Sequence, residues 1–202
     1  MAKLYFRYGA MNSGKSTALI QVAHNYEERG MQVILIKPSI DTKGSETVVS
    51  RIGVSRPVDL LVPPAMDLYK EIEEINKKTH LSCVLADEAQ FFTPKQAEEL
   101  FRVAVSLNIP VICYGLRSDF QMNGFPGSTR LLELAHSIEE LKTICFCGKK
   151  AMINARLVNG EYVFEGEQVA IDGEASVEYR SVCPECYFRL KAEHDKRKKL
   201  KI

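Results

Sequence analysis

The sequence predicts an α/β fold in which a parallel sheet is flanked by helices and followed by a small β module. Up to residue 142, apolar runs of strand length alternate with helical patterns, which is typical of a parallel sheet. From Cys145 onward, short β-like alternations lie between glycine turns, with cysteines at each end. We therefore divide the 202 residues into an α/β domain over 1–142, a β module over 143–192 and a charged tail over 193–202.

The α/β part begins with the apolar run KLYFRY, a glycine turn and a helical pattern over residues 15–29 that ends at Gly30. The continuous apolar run that follows, MQVILIKP, predicts a buried strand. Strand, helix and strand then form one parallel crossover unit. Residues 39–64 are polar and interrupted by glycine and proline, and we predict loops there.

Helices and strands continue to alternate after these loops. The helix predicted at 93–108 starts with Thr93 as its N-cap and Pro94 at its first position. Ser128 is a candidate cap for the helix at 127–137. The other predicted elements are a helix at 65–78 and strands at 81–88, 109–115 and 138–145.

Composition and charge exclude several classes of protein. The formal net charge is +1, which gives no general attraction to nucleic acid or to membranes. No run of eighteen apolar residues is present, and the N-terminus lacks the apolar core of a signal peptide. We expect a cytoplasmic protein that binds neither membranes nor nucleic acid and keeps its six cysteines reduced. The last twelve residues, KAEHDKRKKLKI, are interpreted as a solvated helix end or a frayed tail.

The turn after the first strand, GAMNSGKS, has the pattern of a phosphate-binding loop. Gly9, Gly14, Lys15 and Ser16 match G-x-x-x-x-G-K-[ST]. Glycines let successive backbone N–H groups face one anion, the lysine brings a positive charge to the terminal phosphates, and the Ser16 hydroxyl can bind Mg²⁺. The helix that follows adds its positive N-terminal end. The pattern therefore predicts a nucleotide site on a P-loop NTPase-like sheet.

Two adjacent acids, Asp87 and Glu88, end the strand predicted at 81–88. A phosphate loop needs a second group for Mg²⁺, usually an acid at the end of a neighbouring apolar strand. We assign Asp87 to this role, and Glu88 to the general base that accepts a proton from a hydroxyl. The alternative for either acid is a cap of the following turn or simple solvation of the strand end.

Four cysteines form two close pairs, Cys145 with Cys147 and Cys183 with Cys186. Two such pairs, separated by the length of a β ribbon, can give four thiolates in a tetrahedron around Zn²⁺. Because sulfur would fill all four positions, the zinc would be structural and would hold the intervening segment as a clamped loop over a substrate. A redox pair and buried free thiols are the alternatives. Cys83 and Cys113 lie inside apolar strands, where we expect small core residues.

Together these motifs resemble the thymidine kinases of the zinc-containing, phosphate-loop type, in their bacterial form. The matching segments run from Gly9 to about Tyr187 and read GAMNSGKS, DEAQFF, CYGLRSDF with FPGS, CFCGKKA and YRSVCPECY. The resemblance implies transfer of the γ-phosphate of ATP to the 5′-hydroxyl of thymidine or deoxyuridine, with Mg²⁺ and a structural Zn²⁺. It also implies a cytoplasmic homotetramer of deoxynucleoside salvage that thymidine triphosphate inhibits.

The resemblance implies roles for individual residues as well, with Glu88 as the catalytic base. Without the resemblance, Phe91 and Phe120 could equally be core residues, and Tyr179 an ordinary strand residue. The implied nucleoside contacts are Met11, Phe91, Phe120, Ile171, Asp172, Gly173 and Tyr179. The implied ATP contacts are Gly9, Ala10, Met11, Asn12, Ser13, Gly14, Lys15, Ser16, Asp87, Glu88, Ala89 and Gln90.

Two other classes of function compete with this interpretation. A P-loop ATPase that couples hydrolysis to movement would turn over ATP without a nucleoside. A zinc-ribbon module that binds nucleic acid would use the basic tail as its contact surface. The near-neutral charge argues against the second class.

Overall fold

The computed structural model describes residues 1–40, 46–168 and 176–200. Within the described residues, no helix is long and apolar enough to cross a membrane. Contacts divide the chain into two compact units. The first unit comprises Met1–Tyr8, Gly14–Arg117 and Phe125–Leu141, and the second comprises Gly9–Ser13, Ser118–Gly124 and Lys142–Ile202.

A six-stranded parallel sheet forms the centre of the first unit. The strands of this unit are β1 (Leu4–Tyr8), β2 (Val33–Pro38), β3 (Thr47–Val49), β4 (Ser55–Pro57), β5 (Leu60–Val62), β6 (Cys83–Ala86), β7 (Val111–Gly115) and β8 (Ser137–Glu140). Strands β3 and β4 form a separate antiparallel hairpin. The other six follow the order β5-β2-β6-β7-β1-β8, and every pairing is parallel. Their carboxyl ends therefore lie along one edge of the sheet.

In the part of the first unit that the structure describes, four helices cover the two faces of this sheet: α1 (Lys15–Glu27), α2 (Leu68–Thr79), α3 (Pro94–Ser106) and α4 (Pro126–Leu134). Helix α1 packs against one set of alternating strand side chains, which includes Leu35 and Tyr114. Helices α2, α3 and α4 pack against the other set, which includes Phe6 and Ile36. Every residue of β2, β6 and β7 is buried as a result. Burial on both faces explains why these strands read as continuous apolar runs.

The start of α3 confirms the prediction made from Thr93 and Pro94. The Thr93 hydroxyl accepts a hydrogen bond from the Gln96 backbone N–H at 3.1 Å, and the Gln96 side chain accepts one from the Thr93 N–H at 3.1 Å. This reciprocal capping box satisfies two of the N–H groups that the start of a helix leaves without partners.

Two predictions for this unit are wrong in detail. The residues predicted as loops include the hairpin β3–β4 and the edge strand β5, which pairs with β2. Strands of three residues are too short to show alternation in a sequence. Helix α4 begins after Phe125, so Ser128 is not its cap. The Ser128 hydroxyl instead donates to the Leu116 carbonyl at 2.5 Å, because a serine inside a helix can bond to a neighbouring element.

The second unit contains the small β module that the sequence predicts. Strands β9 (Thr143–Ile144) and β10 (Lys150–Ala151) form a ribbon, while β11 (Ile153–Val158), β12 (Glu161–Val163) and β13 (Val177–Val182) form an antiparallel sheet in the order β12-β11-β13. The single strand predicted at 138–145 is wrong, because β8 and β9 belong to different sheets. Helix α5 (Pro184–Leu200) follows, and most of its described side chains beyond Leu190 are exposed. The helical interpretation of the charged end is confirmed as far as Leu200.

Candidate active site and metal centre

The carboxyl end of β1 leads directly into the predicted phosphate loop, and α1 begins at Lys15. Gly14, the residue before the helix, has φ +79°, a conformation that glycine adopts without steric cost. Helix α1 has no side-chain cap and no acidic residue in its first turn. The positive N-terminal end of this helix is therefore suited to an external anion.

The earlier part of the loop, residues 9–13, belongs to the second unit and is held there by polar side chains. The Met11 N–H donates to the Asn154 side-chain oxygen at 2.8 Å, and the Met11 carbonyl accepts a hydrogen bond from the Ser181 hydroxyl. The Asn12 carbonyl accepts from the Thr143 hydroxyl at 3.2 Å. Strands β9, β11 and β13 thus fix the backbone at two successive loop residues.

The Ser13 hydroxyl gives an independent sign that an anion belongs in this loop. Its oxygen is buried and has no hydrogen-bond partner among the described residues. A buried hydroxyl without a partner costs free energy. A phosphate oxygen would accept its hydrogen bond and remove that cost.

The acid pair lies at the carboxyl end of β6, and both acids are within electrostatic range of Lys15. Asp87 is only 4% exposed. Burial and repulsion from Glu88 raise the pKa of the Asp87 carboxyl to about 7, while Lys37 and Lys15 act in the opposite direction. Burial also lowers the pKa of the Lys15 ammonium, and both acids oppose that shift. The sheet therefore brings the loop lysine to both acids, although β7 lies between β1 and β6.

A single 3-10 turn, Ala89–Phe91, follows the acid pair. Ala89 and Gln90 are buried, and the Phe91 ring packs edge-on against Phe125 at 5.6 Å between ring centroids. Glu88 precedes this turn with φ +48°, and its carboxylate accepts a hydrogen bond from the Gln90 side chain at 2.6 Å.

Two of the predicted nucleoside contacts meet around a buried arginine in the second unit. The Arg156 guanidinium lies 3.7 Å from the centre of the Phe120 ring, and its Nε donates to the Tyr179 hydroxyl at 3.0 Å. Arg156 also donates to the carbonyls of Glu167 and Gln168 at 2.7 and 2.9 Å. The other predicted contacts of this group, Ile171, Asp172 and Gly173, lie outside the described residues.

Asn154, Arg156 and Ser181 are absent from the set of residues that the sequence singles out. Each is a polar residue on a short strand, and Asn154 and Arg156 are buried. In the sequence, Asn154 and Arg156 stand out only as polar residues among the apolar ones of INARLV, and Ser181 lies in the mixed segment VEYRSV. Neither pattern indicates a partner.

The four cysteines predicted as zinc ligands come together in the second unit. Their sulfur atoms all lie within 4.8 Å of one another, and those of Cys147 and Cys183 are 3.6 Å apart. A tetrahedral zinc site with Zn–S bonds of about 2.3 Å has sulfur atoms about 3.8 Å apart. Gly148 makes the tight turn after the first pair, with φ +85°. The donor set and its spacing therefore fit a structural Zn²⁺.

Burial raises the pKa of the Cys145 thiol, but N–H groups of Cys147 and Cys183 and neighbouring thiols outweigh it and bring the pKa to about 7. The two remaining cysteines, Cys83 and Cys113, are fully buried in the first unit. The prediction that they are core residues is confirmed.

Comparison with known proteins decides the family. The Thymidine kinase family model matches residues 2–187. The chain belongs to the thymidine kinase family. The family resemblance drawn from the five motifs is thus confirmed.

Several bacterial members of this family are close in sequence. The thymidine kinase of Chromobacterium violaceum is 48% identical over 189 residues, which cover 93% of this chain and 98% of that protein. The thymidine kinase of Legionella pneumophila is 48% identical over 196 residues, covering 96% of this chain and 92% of that protein. The thymidine kinase of Lactobacillus acidophilus is 45% identical over 196 residues, which cover 93% of this chain and 97% of that protein. The similarity therefore extends over both units.

Proposed function

We propose that this chain transfers the γ-phosphate of ATP to the 5′-hydroxyl of thymidine, and of deoxyuridine, giving a nucleoside monophosphate and ADP. Membership of the thymidine kinase family supports this reaction. The observation in the structure that carries it is the cluster of Lys15, Asp87 and Glu88 at the carboxyl edge of the parallel sheet. A lysine, a metal-binding acid and a base are the groups that phosphoryl transfer to a hydroxyl requires.

In this proposal, Lys15 stabilises negative charge on the terminal phosphates. The Ser16 hydroxyl, in the first turn of α1, and the Asp87 carboxylate would hold the Mg²⁺ that accompanies ATP, directly or through water. Burial raises the pKa of the Asp87 carboxyl, and a bound divalent cation would act in the opposite direction and favour its ionised form. Magnesium supplies charge neutralisation between the phosphates.

Glu88 is the proposed general base and takes the proton of the nucleoside 5′-hydroxyl as the oxygen attacks phosphorus. In support of this role, one oxygen of the Glu88 carboxyl group accepts a hydrogen bond from the Gln90 side chain. General-base catalysis contributes about 10²–10⁴-fold to a rate. We expect Glu88→Gln to lose activity by a factor in this range.

The second unit is the proposed nucleoside-binding part, with Phe120 and Tyr179 as contacts of the base. Met11 would approach the base from the phosphate loop. Zinc at the four cysteines would be structural, because all four tetrahedral positions are sulfur. Inhibition by thymidine triphosphate and a homotetrameric state stay predictions of the family resemblance, and a cytoplasmic location stays a prediction from the sequence.

The decisive experiment measures phosphate transfer from ATP with Mg²⁺ across a panel of ribo- and deoxyribonucleosides. We expect product from thymidine and deoxyuridine. Hydrolysis of ATP at the same rate without a nucleoside would support the rival ATPase function and contradict the proposal.

The assignment of the base is tested with Glu88→Gln and, as a matched control, Glu98→Gln on the exposed face of α3. We expect Glu88→Gln to retain ATP binding and lose transfer, while Glu98→Gln keeps both. Wild-type transfer by Glu88→Gln would show that another group accepts the proton.

A further inference from the structure

The side chain of Gln90 connects the proposed catalytic base to the end of β7. Its Nε2 donates to a Glu88 carboxylate oxygen at 2.6 Å, and its Oε1 accepts from the Leu116 backbone N–H at 3.0 Å. Gln90 is 2% exposed. Both the NH₂ group and the oxygen of the amide therefore form hydrogen bonds within the protein.

The contact with Leu116 also determines which way the amide faces. A backbone N–H can only donate, so the Gln90 oxygen must face Leu116 and its NH₂ group must face Glu88. The carboxylate oxygen of Glu88 is consequently an acceptor in this bond. A hydrogen bond to a charged acceptor is stronger than one between neutral groups, so it can hold the carboxylate in one orientation.

The backbone conformation at Glu88 is also unusual. Glu88 has φ +48° and ψ +40°, a left-handed conformation that is uncommon for a residue other than glycine. Such a conformation persists where surrounding structure determines it, often at active sites. The 3-10 turn that follows Glu88 provides that structure.

Two glycines allow neighbouring elements to approach this turn. A Cβ atom at Gly115 would lie 2.8 Å from the Gln90 side-chain oxygen. A Cβ atom at Gly127 would lie 2.4 Å from the Phe92 carbonyl and 2.9 Å from that of Gln90. The end of β7 therefore lies close to the Gln90 side chain, and the start of α4 lies close to the backbone of the turn.

We propose that Gln90 is a positioning residue that orients the Glu88 carboxylate toward the nucleoside hydroxyl. The inference rests on the proposed function, because it acts through the proposed base. It differs from the role that the family resemblance implies for Gln90, namely contact with ATP. The difference can be measured, since a positioning residue affects the chemical step and an ATP contact affects nucleotide binding.

Two variants remove both bonds of the amide without adding a charge beside Glu88. Gln90→Met keeps the approximate length of the side chain and Gln90→Leu a similar volume, and neither can donate to Glu88 or accept from Leu116. We expect either variant to lower kcat for thymidine about 10–100-fold, the order expected for one hydrogen bond to a charged group. The KM for thymidine and the Kd for ADP, measured by calorimetry, should stay within about threefold.

A double-substitution experiment distinguishes positioning from a general structural effect. In a Glu88→Gln background there is no carboxylate to orient, so adding Gln90→Met should lower the remaining kcat by less than about twofold. The matched control is Gln96→Met. Gln96 is also 2% exposed and bonds to the Pro63 carbonyl at 2.9 Å. This control should lower thermal stability and leave the kcat of the folded protein unchanged.

The inference is overturned if Gln90→Met, folded by circular dichroism, keeps kcat within about twofold of the unmodified protein. It is also overturned if kcat is kept while the Kd for ADP rises tenfold or more, because Gln90 would then be a nucleotide contact. Failure of the unmodified protein to phosphorylate thymidine would instead overturn the proposed function, and this inference with it.

Discussion

Replacement of Arg156 by methionine tests how the second unit holds the predicted nucleoside site. Arg156 is 5% exposed. Its guanidinium packs on the Phe120 ring and donates hydrogen bonds to the Tyr179 hydroxyl and to the carbonyls of Glu167 and Gln168. Methionine fills much of the same volume and packs on an aromatic ring, but it donates no hydrogen bond.

The expected loss of stability follows from these contacts. Arg156→Met leaves two carbonyls and one hydroxyl without their donor. Glu167 is exposed, and Gln168 and Tyr179 are half-buried, so water can replace part of each bond and each loss costs about 0.5–1.5 kcal/mol. Loss of the cation–π contact adds about 1 kcal/mol. Because such costs are not additive, we expect a total of about 2–4 kcal/mol.

Urea unfolding followed by circular dichroism measures this loss. The control is Arg56→Met in the first unit, where the guanidinium pairs with Glu27 and Asp59 at 2.8 and 2.9 Å. Those carboxylates are about half exposed and stay hydrated when the arginine is removed, so the control should lose less stability.

Steady-state kinetics, measured under conditions in which the variant stays folded, test whether Arg156 supports nucleoside binding. We expect Arg156→Met to raise the KM for thymidine at least tenfold and to leave the KM for ATP within about twofold. Arg156→Lys, which keeps the charge but not the planar set of donors, should give an intermediate result. A stability loss below about 1 kcal/mol, or an equal rise in both KM values, would refute this reasoning.

Three further predictions concern other parts of the chain. Thr93→Ala removes the capping box with Gln96 and should lower the free energy of unfolding by about 1 kcal/mol, seen as a lower urea midpoint with unchanged slope. Gly127→Ala places a Cβ 2.4 Å from the Phe92 carbonyl and should lower the free energy of unfolding by about 1–3 kcal/mol. Unchanged thermal stability would contradict this, because it would mean that α4 can shift to make room for the methyl group. Metal analysis should find about one zinc per chain, and chelation should expose four thiols to a thiol reagent. Cys83 should stay unreactive in the folded protein, because burial raises its pKa to about 12.

Local patterns in the sequence were sufficient to predict most helices and strands of the first unit. The capping residues before α3 lie next to the helix they cap, so their effect can be read locally. The strands β3, β4 and β5 have three residues each, which is too short for a periodic signal. The sequence around Ser128 does not show that its hydroxyl bonds to Leu116, because Leu116 belongs to another part of the fold.

The predicted phosphate loop, the acid pair and each of the two cysteine pairs lie within short segments, so they can be recognised without coordinates. Their meeting in space depends on the fold. Lys15 reaches Asp87 and Glu88 because the sheet order places the ends of β1 and β6 along one edge. The bond from Met11 to Asn154 spans 143 positions in the chain. Hydrogen bonds and burial act over a few ångströms in space, so partners that are distant in sequence leave no local pattern from which they can be predicted.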